Sequence, residues 1–367
     1  MKFSCNRVQL SEAVTNVQRA VSSKAAIPAL EGIYITAKND RLTLVGYDLD
    51  IAIETAIDAF ITEEGRAILN ARLLGDILRK AEGEHVNIEV DQKFGAKIYA
   101  ESSHFEIMGI DPNEFPELPD VSKTQNITID YKLLQSMVSQ TIFAAATTEL
   151  KPVHTGILFE IEGGVIRLVA VDGYRLAIRT EAIDAPEDMR FIIPAKAMGE
   201  ILKLAGEDAK EVSFQIGKRH ARFNVSGFSL VSRLLYGDFL DYKAAVPKGA
   251  ATSAVVNTRA LIASIDRLSL IITDRIKSPV RMDVRDDGIN LKCVTALGRA
   301  EDAVACEKSG DDLTIGFNNR YMLDALRATD TDQVRIECNG ATAPIKILPM
   351  EGDSFLFLVL PVRIANG

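Results

Sequence analysis

One segment occurs three times in this chain at a constant spacing, and this repeat restricts the fold more than any other feature. The segments read ILNARLLGDILRKA near residue 70, IIPAKAMGEILKLA near residue 194 and IGFNNRYMLDALRA near residue 318. Four sets of matching residues are each spaced by 124: Arg72, Lys196 and Arg320; Asp76, Glu200 and Asp324; Leu78, Leu202 and Leu326; and Arg79, Lys203 and Arg327. A spacing that holds without gaps over so many positions indicates three tandem copies of one domain.

The boundaries of the copies follow from the same spacing and from two apparent linkers. Phe115 and Phe239 also lie 124 residues apart, as do Asp48 and Asp172. The linkers read PDVSKTQ (119–125) and VPKGAATSA (246–254). We therefore place the three domains at residues 1–121, 126–247 and 252–367, since 367 residues are too many for one ordinary domain.

Composition places the chain among globular proteins. It is 47% hydrophobic and 25% charged, and no apolar run reaches the about 18 residues that a membrane span needs. The first residues, MKFSCNRVQL, lack the apolar core of a secretion signal. The four cysteines and four histidines are scattered, without the spacing of a disulfide framework or a zinc site. We expect a cytoplasmic protein with no metal and no other cofactor.

The same order of elements is predicted in each copy. An amphipathic helix at about 8–20, 130–143 and 257–271 precedes two alternating strands that are joined by a tight turn. The turns are predicted at Asn39-Asp40, Gly163-Gly164 and Asp287-Gly288. Further strands follow, then the repeated helix, and then the strands VNIEV, EVSFQI and VRIEC. The fold class is therefore α+β, with two helices in each strand-rich copy.

The repeated helix carries a base–acid–base pattern on one face. At about 100° per residue, Asp76 lies about 40° and Arg79 about −20° from Arg72. Four apolar residues occupy the other side: Leu73, Leu74, Ile77 and Leu78. A solvated charged face would explain a single such helix. Cations at two matched positions in three copies, in a chain of net charge −9, favour a surface that binds phosphate.

Three similar domains in a row can curve into an arc, and two arcs can close into a ring lined by equivalent helices. Closure would also pair exposed strand edges. Candidates for the joint are Phe105 and Ile107 in the first copy and the run containing Leu268, Leu270, Ile271 and Ile272 in the third. Ordinary core packing remains the alternative for both. A ring with basic positions inside would let an acidic protein enclose DNA with weak, sequence-independent phosphate contacts.

Several longer segments resemble those of a known family. They are the MKF start, VAVDGYRLA (169–177), GDFLDYKAAVP (237–247), IGFNNRYMLDAL (315–326) and LPVRI (360–364). They are similar to those of the bacterial DNA polymerase III beta subunit, the beta sliding clamp family, over the whole chain. The resemblance implies three clamp domains that form half of a closed ring. It also implies a head-to-tail homodimer that encircles duplex DNA as a non-catalytic processivity factor in DNA replication.

The resemblance also implies sites and partners. Together with the helix pattern, it implies DNA contacts at Lys24, Arg72, Arg79, Thr148, Lys151, Lys196, Lys203, Arg320 and Arg327. A peptide groove would use His154, Val171, Gly173, Tyr174, Arg175, Leu176, Leu240, Ala245, Asn318, Tyr321, Leu358, Leu360, Pro361 and Val362. Implied partners are double-stranded DNA, a second copy of the chain, the polymerase III alpha subunit, an ATP-dependent clamp loader, and other polymerases, ligase and mismatch-repair proteins that carry short linear motifs. No membrane partner is implied.

The chain departs from the family pattern inside this groove. Leu240 stands where proline is frequent, Ala244 where a basic residue is common, and Val362 where methionine is frequent. Pro152 and Val153 fall where some members have aromatic residues. We expect the groove to remain apolar and its preference among motifs to differ.

Two other function classes fit parts of the sequence. His154, Asp172, Tyr174 and Arg175 could form an acid–base site, but no nucleophile motif or phosphate loop accompanies them, and the third copy reads ALGR (296–299) in place of DGYR. A repeat scaffold that binds only proteins is the second alternative. It predicts that the repeated cations are dispensable for association with DNA.

Overall fold

Sheets, with helices packed against them, organise this chain. The computed structural model describes residues 1–121, 126–148, 150–184, 187–206, 208–273 and 278–364. In the first copy the elements are β1 (Lys2–Asn6), α1 (Arg7–Val17), β2 (Gly32–Lys38), β3 (Arg41–Tyr47), β4 (Ile51–Asp58), β5 (Phe60–Glu63), β6 (Gly65–Asn70), α2 (Ala71–Lys80), β7 (His85–Val90), β8 (Gly95–Ala100) and β9 (Ser103–Met108).

The second and third copies follow the same order. In the second copy the elements are β10 (Asn126–Asp130), α3 (Tyr131–Ser139), β11 (Gly156–Glu162), β12 (Val165–Val171), β13 (Arg175–Ala182), β14 (Met189–Pro194), α4 (Ala195–Leu204), β15 (Glu211–Ile216), β16 (His220–Val225), β17 (Phe228–Arg233) and α5 (Tyr242–Ala245). In the third they are β18 (Thr252–Asn257), α6 (Thr258–Ser269), β19 (Val280–Arg285), β20 (Gly288–Thr295), β21 (Gly298–Val304), β22 (Cys306–Gly310), β23 (Leu313–Phe317), α7 (Asn319–Ala328), β24 (Gln333–Cys338), β25 (Ile345–Leu348) and β26 (Phe355–Val359). Short 3₁₀ turns lie at Gln18–Ala20, Pro28–Glu31, Pro112–Glu114, Ile142–Ala144 and Pro152–Thr155.

Four of the helices begin at an asparagine that ends a strand or directly follows one. The side-chain oxygens of these residues accept hydrogen bonds from backbone N–H groups in the first turns of α1, α2, α6 and α7; they are Asn6, Asn70, Asn257 and Asn318. Asparagine is among the best residues for this role because its short side chain satisfies an otherwise unpaired N–H group. The cap fixes the first residue of the helix. It therefore also fixes the positions of Arg72 and Arg320, which lie two residues after Asn70 and Asn318.

By its contacts the chain divides into two compact units, and the first holds residues 1–132 and 196–234. Its sheets have the strand orders β5-β1-β7-β8-β9 and β10-β15-β16-β17-β4-β3-β2-β6. The larger sheet joins strands of the first two copies, because β17 pairs antiparallel with β4, with Ser232 opposite Ile51. α1 packs against α2, and Gly75 allows this close approach, since a Cβ atom there would lie 3.0 Å from the side-chain oxygen of Gln18.

The second unit holds residues 133–195 and 235–367. Its sheets have the orders β14-β11-β12-β13-β26-β25-β24-β18-β22 and β21-β20-β19-β23. The larger sheet joins strands of the second and third copies, because β26 pairs antiparallel with β13, with Val359 opposite Arg175. α6 packs against α7 and covers β20 and β21. In both units, the fourth strand of one copy thus pairs with the last strand of the following copy. These pairs are β4 with β17 and β13 with β26.

The α+β class and the three-copy organisation are confirmed, and two local predictions are wrong by one residue. The hairpin turns at 39–40 and 163–164 lie where the sequence predicts them. In the third copy the turn consists of Asp286 and Asp287, and Gly288 already belongs to β20, at a φ of 136°. The third hairpin is therefore shifted by 123 residues from the second.

This shift also moves the counterpart of the DGYR segment. Val171 pairs with Leu176 across the β12–β13 loop, and Val294 pairs with Arg299 across the β20–β21 loop. The counterpart of residues 172–175 is therefore 295–298 and not the ALGR segment at 296–299. The repeated helix keeps its spacing of 124, because α4 and α7 start at 195 and 319. One additional residue between the hairpin and the helix of the third copy explains both observations.

Thiol and metal chemistry have little support in the described part of the chain. Cys5, Cys293 and Cys338 are buried and Cys306 is half-buried, and none of the four is in a disulfide. Burial raises the pKa of both Cys5 and Cys338 to about 12, so these thiols are not nucleophilic at neutral pH. No group of three or more histidine, cysteine or acidic side chains within the described ranges could hold a metal ion. No helix within those ranges is long and apolar enough to cross a membrane.

Candidate functional sites on the repeated helices and in the second unit

The basic face of α2 is exposed to solvent. The Arg72 side chain is 88% exposed and that of Arg79 is 53% exposed. Asp76 lies between them and forms ion pairs with both, at 4.0 Å to Arg72 and at closer range to Arg79. On the other side Leu74, Ile77 and Leu78 are buried as predicted, but the prediction for Leu73 is wrong, since it is 45% exposed. Leu73 is adjacent to Arg72 on the helix and lies at the border of the buried face.

The counterparts of Arg72 and Arg79 on α4 and α7 are exposed as well. Lys196 forms an ion pair with Asp48 at 2.7 Å, and Lys203 forms one with Glu200 at 2.8 Å. Arg327 holds both carboxylate oxygens of Asp266 on α6, at 2.8 and 2.9 Å.

Arg320 is the exception among these six cations, because it has no ion pair with any residue that the structure describes. Five of the six cations are thus neutralised by carboxylates of the same chain. A phosphate would have to replace those carboxylates, at a cost of about 0–1 kcal/mol for each exposed pair.

The three remaining residues expected to contact DNA lie in loops. Lys24 is exposed in the segment after α1, in the first unit. Thr148 and Lys151 are exposed on either side of the turn before β11, in the second unit. They add solvent-accessible donors to the helical cations.

An apolar cluster in the second unit contains the deep part of the predicted groove. Val171, Leu176 and Leu358 are at most 4% exposed and lie side by side where β26 joins β13. The cluster also contains Val153, one of the positions where the chain departs from the family pattern, and four buried residues that the sequence did not point to: Leu158, Val169, Ile192 and Tyr242. We call the eight buried residues of this cluster the floor of the groove.

Around this floor lie exposed apolar side chains. Leu240 and Leu360 are each 40% exposed, and Val362 is 39% exposed. Phe239 packs against the cluster from the same segment as Leu240, and its ring meets that of His154 edge to face at 5.6 Å. Burial and the nearby Lys151 lower the pKa of His154, so the ring is neutral at neutral pH and suits an apolar wall.

The segment that carries Leu240 and Ala245 is anchored by a polar network that the sequence pattern did not indicate. The Tyr242 hydroxyl donates a hydrogen bond to Glu160 at 2.5 Å, and Lys243 reaches the same carboxylate at 3.3 Å. Burial and Glu160 both raise the pKa of Tyr242 above its ordinary value. The one-turn helix α5, also not predicted, begins at Asp241, whose side chain accepts from the Ala244 N–H group. These bonds hold the side wall of the groove in place.

At the other end of the groove, the Arg175 side chain links the second and third copies. It donates to Asp172 at 3.0 Å and to Asp324 on α7 at 2.5 Å. Its guanidinium lies 4.8 Å from the ring centre of Tyr321 and 5.5 Å from that of Phe143. Its side chain is only 11% exposed. Arg175, one of the predicted groove residues, is therefore largely occupied by contacts within the chain.

Tyr174 and Tyr321 form an exposed aromatic wall next to Arg175. Their rings stack at 5.7 Å with an angle of 20°. Tyr174 is 60% exposed and follows Asp172 and Gly173 in a tight loop, where Gly173 has a φ of 91° that favours glycine. Asn318 lies nearby as the cap of α7.

A cleft of about 880 Å³ opens beside this wall. Its lining includes the predicted groove residues Tyr174, Arg175, Asn318, Tyr321 and Val362 and the predicted DNA contacts Thr148, Arg320 and Arg327. The two sets of predicted residues therefore meet in one cleft of the second unit.

Two backbone hydrogen bonds hold the C-terminal segment in place between Leu360 and Val362. The Leu360 N–H group donates to the Tyr174 carbonyl at 2.9 Å, and the Val362 N–H group donates to the Gly316 carbonyl at 2.8 Å. Pro361 lies between them and needs no partner for its nitrogen. These bonds extend β26 past its last residue and make the segment a wall of the groove.

The acid–base alternative has no geometric support. Asp172 accepts from Arg175 and from the backbone N–H groups of Tyr174 and Arg175. His154 packs on Phe239. The four side chains therefore stabilise the loop and the wall, and they are not aligned for proton transfer.

The residues predicted for a joint between chains lie at sheet edges and helix ends. Phe105 and Ile107 are half-buried on β9, the edge strand of the five-stranded sheet. Ile271 and Ile272 are half-buried just after α6, and Leu270 beside them is 81% exposed. Within the described residues, β9 and β21 each pair with a strand on one side only.

Comparison with known proteins gives the same family for all three copies. The models of the N-terminal, central and C-terminal domains of the DNA polymerase III beta subunit match residues 1–119, 128–241 and 243–363. The beta sliding clamp of Halalkalibacterium halodurans is 32% identical over 378 residues, which cover 99% of this chain and 100% of that protein.

Solved structures agree with this result over the full length. The sliding clamp of Bacillus subtilis superposes with a TM-score of 0.96 at 30% identity and full coverage of both chains. A beta subunit from Eubacterium rectale gives a TM-score of 0.95 at 31% identity, with 99% of each chain covered. Three family domains in the family's order, on a fold shared with its solved members, establish that this chain belongs to the DNA polymerase III beta subunit family, the beta sliding clamps.

Proposed function

We propose that two copies of this chain join head to tail into a closed ring around duplex DNA and tether the replicative polymerase to its template. The observation that carries the proposal is the joint that occurs twice within the chain, β17 on β4 and β26 on β13. Two strands of these kinds are left without such a joint within the described residues. They are β21, the fourth strand of the third copy, and β9, the last strand of the first copy. A joint of the same kind between β21 of one chain and β9 of another, made twice, closes the ring.

The register of this joint follows from the other two. Ser232 and Val359 lie opposite the first residues of β4 and β13, Ile51 and Arg175. The β20–β21 hairpin makes Gly298 the counterpart of Arg175. The β8–β9 hairpin, which pairs Ala100 with Ser103 as β16–β17 pairs Val225 with Phe228, makes Ile107 the counterpart of Ser232. We therefore expect Gly298 of one chain to lie opposite Ile107 of the other.

This register brings complementary side chains together. Arg299 lies opposite Glu106, Ala300 opposite Phe105, and Glu301 opposite His104. The opposite charges of Arg299 and Glu106, directly across an antiparallel pair, stabilise it by about 0.2–1 kcal/mol, and the Phe105 ring beside Ala300 packs without a gap. Ile271 and Ile272 follow α6, which covers β21, and they would complete the apolar part of the joint.

DNA would be held by the enclosing ring and by exchangeable phosphate contacts from the cations of α2, α4 and α7, with Lys24, Thr148 and Lys151 in the loops. Because five of the helical cations already have carboxylate partners, contact with any one phosphate is weak. Weak contacts suit a protein that must move along DNA of any sequence. The chain is a sliding clamp and not an enzyme, and an exclusive protein scaffold is not favoured, since the whole family acts on DNA replication.

The groove would receive short linear motifs with apolar anchors, over the floor that includes Val171, Leu176 and Leu358. We propose the polymerase III alpha subunit, a clamp loader, other polymerases, ligase and mismatch-repair proteins as its partners. Leu240 replaces a rigid proline at the rim, so we expect this wall to accept a wider range of anchors. The protein would act in the bacterial cytoplasm, without a cofactor of its own.

Retention on nicked circular DNA tests the proposed function. The protein is loaded by a cognate clamp loader with ATP, free protein is removed, and the circle is then cut once. We expect protein to remain on the circle and to be lost after the cut, because a ring slides off an end. Retention that survives the cut would contradict encirclement, and a failure to be retained on the uncut circle would contradict loading.

A further inference from the structure

We propose that Asp324 is a positioning residue of the peptide groove, which acts through Arg175 to hold the wall of Tyr174 and Tyr321. The inference rests on the proposed peptide-binding function and concerns a residue outside the predicted groove set. Asp324 occupies the third position of a repeat whose other two members, Asp76 and Glu200, do something else.

In the first two copies, this acid pairs with the cation three residues later on its own helix. Asp76 pairs with Arg79 and Glu200 with Lys203. In the third copy the cation at that position, Arg327, pairs instead with Asp266 on α6. The Asp324 carboxylate is directed to Arg175 of the second copy. Of the three repeated helices, α7 is the one that lines the groove. It is also the one whose acid does not pair with the cation three residues later.

The bond to Asp324 determines where the Arg175 guanidinium lies. Asp172 holds Nε of Arg175 from within the same loop, and Asp324 holds Nη1 from α7. Two bonds from opposite ends fix the plane of the group, and Arg175 then packs over Tyr321 and Phe143. Without Asp324, only the local bond to Asp172 would orient it.

The position of the guanidinium in turn sets the aromatic wall. Tyr321 is on α7 and Tyr174 is in the loop before β13, and they stack across the boundary between the third and second copies. Within the described residues, the Arg175–Asp324 ion pair is the charged link between these two elements. Loss of the Asp324 charge would leave both rings in place but free to change their separation. A peptide would then have to order the wall as it binds, which weakens affinity.

Asp324→Asn tests the inference, because it keeps the size of the side chain and removes its charge. The probe is a fluorescein-labelled hexapeptide with leucine and phenylalanine anchors and polar glutamine and serine between them, titrated by fluorescence polarisation. We expect about tenfold weaker binding, as for the loss of one charged hydrogen bond. Asp76→Asn, the same change at the matching repeat position, should bind the probe like the wild type.

Two further measurements separate positioning from a general loss of structure. The chain has 8 tyrosines and no tryptophan, so near-ultraviolet circular dichroism reports on stacked tyrosines. We expect Asp324→Asn to change this spectrum, Asp76→Asn to leave it unchanged, and Asp324→Glu to recover part of the affinity. In an Arg175→Gln background, which has lost the ion pair with Asp324, Asp324→Asn should cause little additional loss, because both changes remove the same link.

The outcomes distinguish this inference from the proposed function. A wild-type protein that does not bind the probe would contradict the groove and, with it, the inference. Wild-type binding with equal affinity for Asp324→Asn would contradict the inference alone. An additive loss in the Arg175→Gln background would also contradict it, since Asp324 would then act independently of Arg175.

Discussion

At the scale of single residues, the cations of α2, α4 and α7 differ in what a phosphate must displace. Arg72 shares Asp76 with Arg79, and Lys196 is held by Asp48. Arg320 has no acidic partner in the described part of the chain. A phosphate can therefore reach Arg320 without breaking an ion pair, and we expect it to contribute most to DNA contact. Because the chain as a whole is acidic and most of these cations are paired, we expect them to bind phosphates only where the closed ring holds DNA close to them.

Reversing the charge of one cation in each copy is expected to weaken retention on DNA. The variant combines Arg72→Glu, Lys196→Glu and Arg320→Glu, all at exposed positions, so the fold should remain intact. A ring of two chains loses six cations, so the salt dependence of association should fall by a slope of about 5, at about 0.9 for each lost phosphate contact. The lifetime of the loaded ring on nicked circular DNA, measured at several salt concentrations, checks this.

A charge-matched control excludes an effect of net charge alone. Arg41, Lys93 and Lys218 are exposed at turns between strands, and their change to Glu adds the same negative charge. This control should load and persist like the wild type. Equal behaviour of the two triple variants would contradict the assignment of the helices to DNA.

At the scale of elements, the groove depends on a strand that continues past its last paired residue. Leu360 and Val362 lie on an extension of β26, which is bonded to Tyr174 on one side and to Gly316 of β23 on the other. Gly316 has no room for a side chain, since a Cβ atom there would lie 2.5 Å from the Val362 carbonyl oxygen. The extension is therefore fitted against β23, and its exposed apolar side chains face the groove.

Removing this extension is expected to abolish peptide binding. A chain that ends at Val359 lacks residues 360–367 and should no longer bind the labelled hexapeptide, while its dimer remains, because β9 and β21 are unchanged. Since the deletion also uncovers Gly316, the point change Val362→Asp provides a milder test, with an expected loss of about tenfold or more from placing a charge against the apolar wall. Polarisation titrations and the solution mass check both. Normal affinity in both variants would exclude the extension from the site.

The sequence could predict those features of the elements that depend on residues close together in the chain or on the repeat, and not those that depend on residues far apart. The spacing of 124 was enough for the three copies, the repeated helix and its exposed cations, because a repeat is visible along the chain. The first helix of each copy was predicted from its amphipathic pattern, which is also local in sequence. The pairings Lys196–Asp48 and Arg175–Asp324 were not predictable, since they join residues far apart in sequence. The floor residues Ile192 and Tyr242 were missed for the same reason. The third hairpin was misplaced because one additional residue between it and α7 does not disturb the periodicity on either side.

At the scale of the whole molecule, the chain has two internal joints and two strands that could form a third. β4–β17 and β13–β26 each continue one sheet from one copy into the next. A chain with an unpaired strand edge at β9 and another at β21 exposes two templates for uncontrolled association. A head-to-tail dimer would pair both edges at once, and self-complementary association of either edge alone would leave the other exposed.

The register proposed for this joint predicts that two variants that dimerise poorly will dimerise well together. Glu106→Arg places like charges opposite Arg299 at both joints of its homodimer, and Arg299→Glu does the same opposite Glu106. Each should raise the dimer dissociation constant roughly tenfold to a hundredfold. In the mixed dimer, each joint again holds one acid and one base, so the mixture should regain the wild-type affinity. Sedimentation velocity of each variant alone and of the mixture, over a dilution series, checks this.

A head-to-tail joint is the condition for this recovery, because only then does residue 106 of one chain meet residue 299 of the other at both joints. The double change Ile271→Asp with Ile272→Asp supplies the mass of the free subunit, since two buried charges should prevent the joint from forming. Glu63→Arg mixed with Arg41→Glu, two exposed positions away from β9 and β21, should stay dimeric alone and together. The register would be contradicted if the mixture of Glu106→Arg and Arg299→Glu were no more dimeric than each variant alone. If both variants alone dimerised as tightly as the wild type, the joint would not lie at these strands.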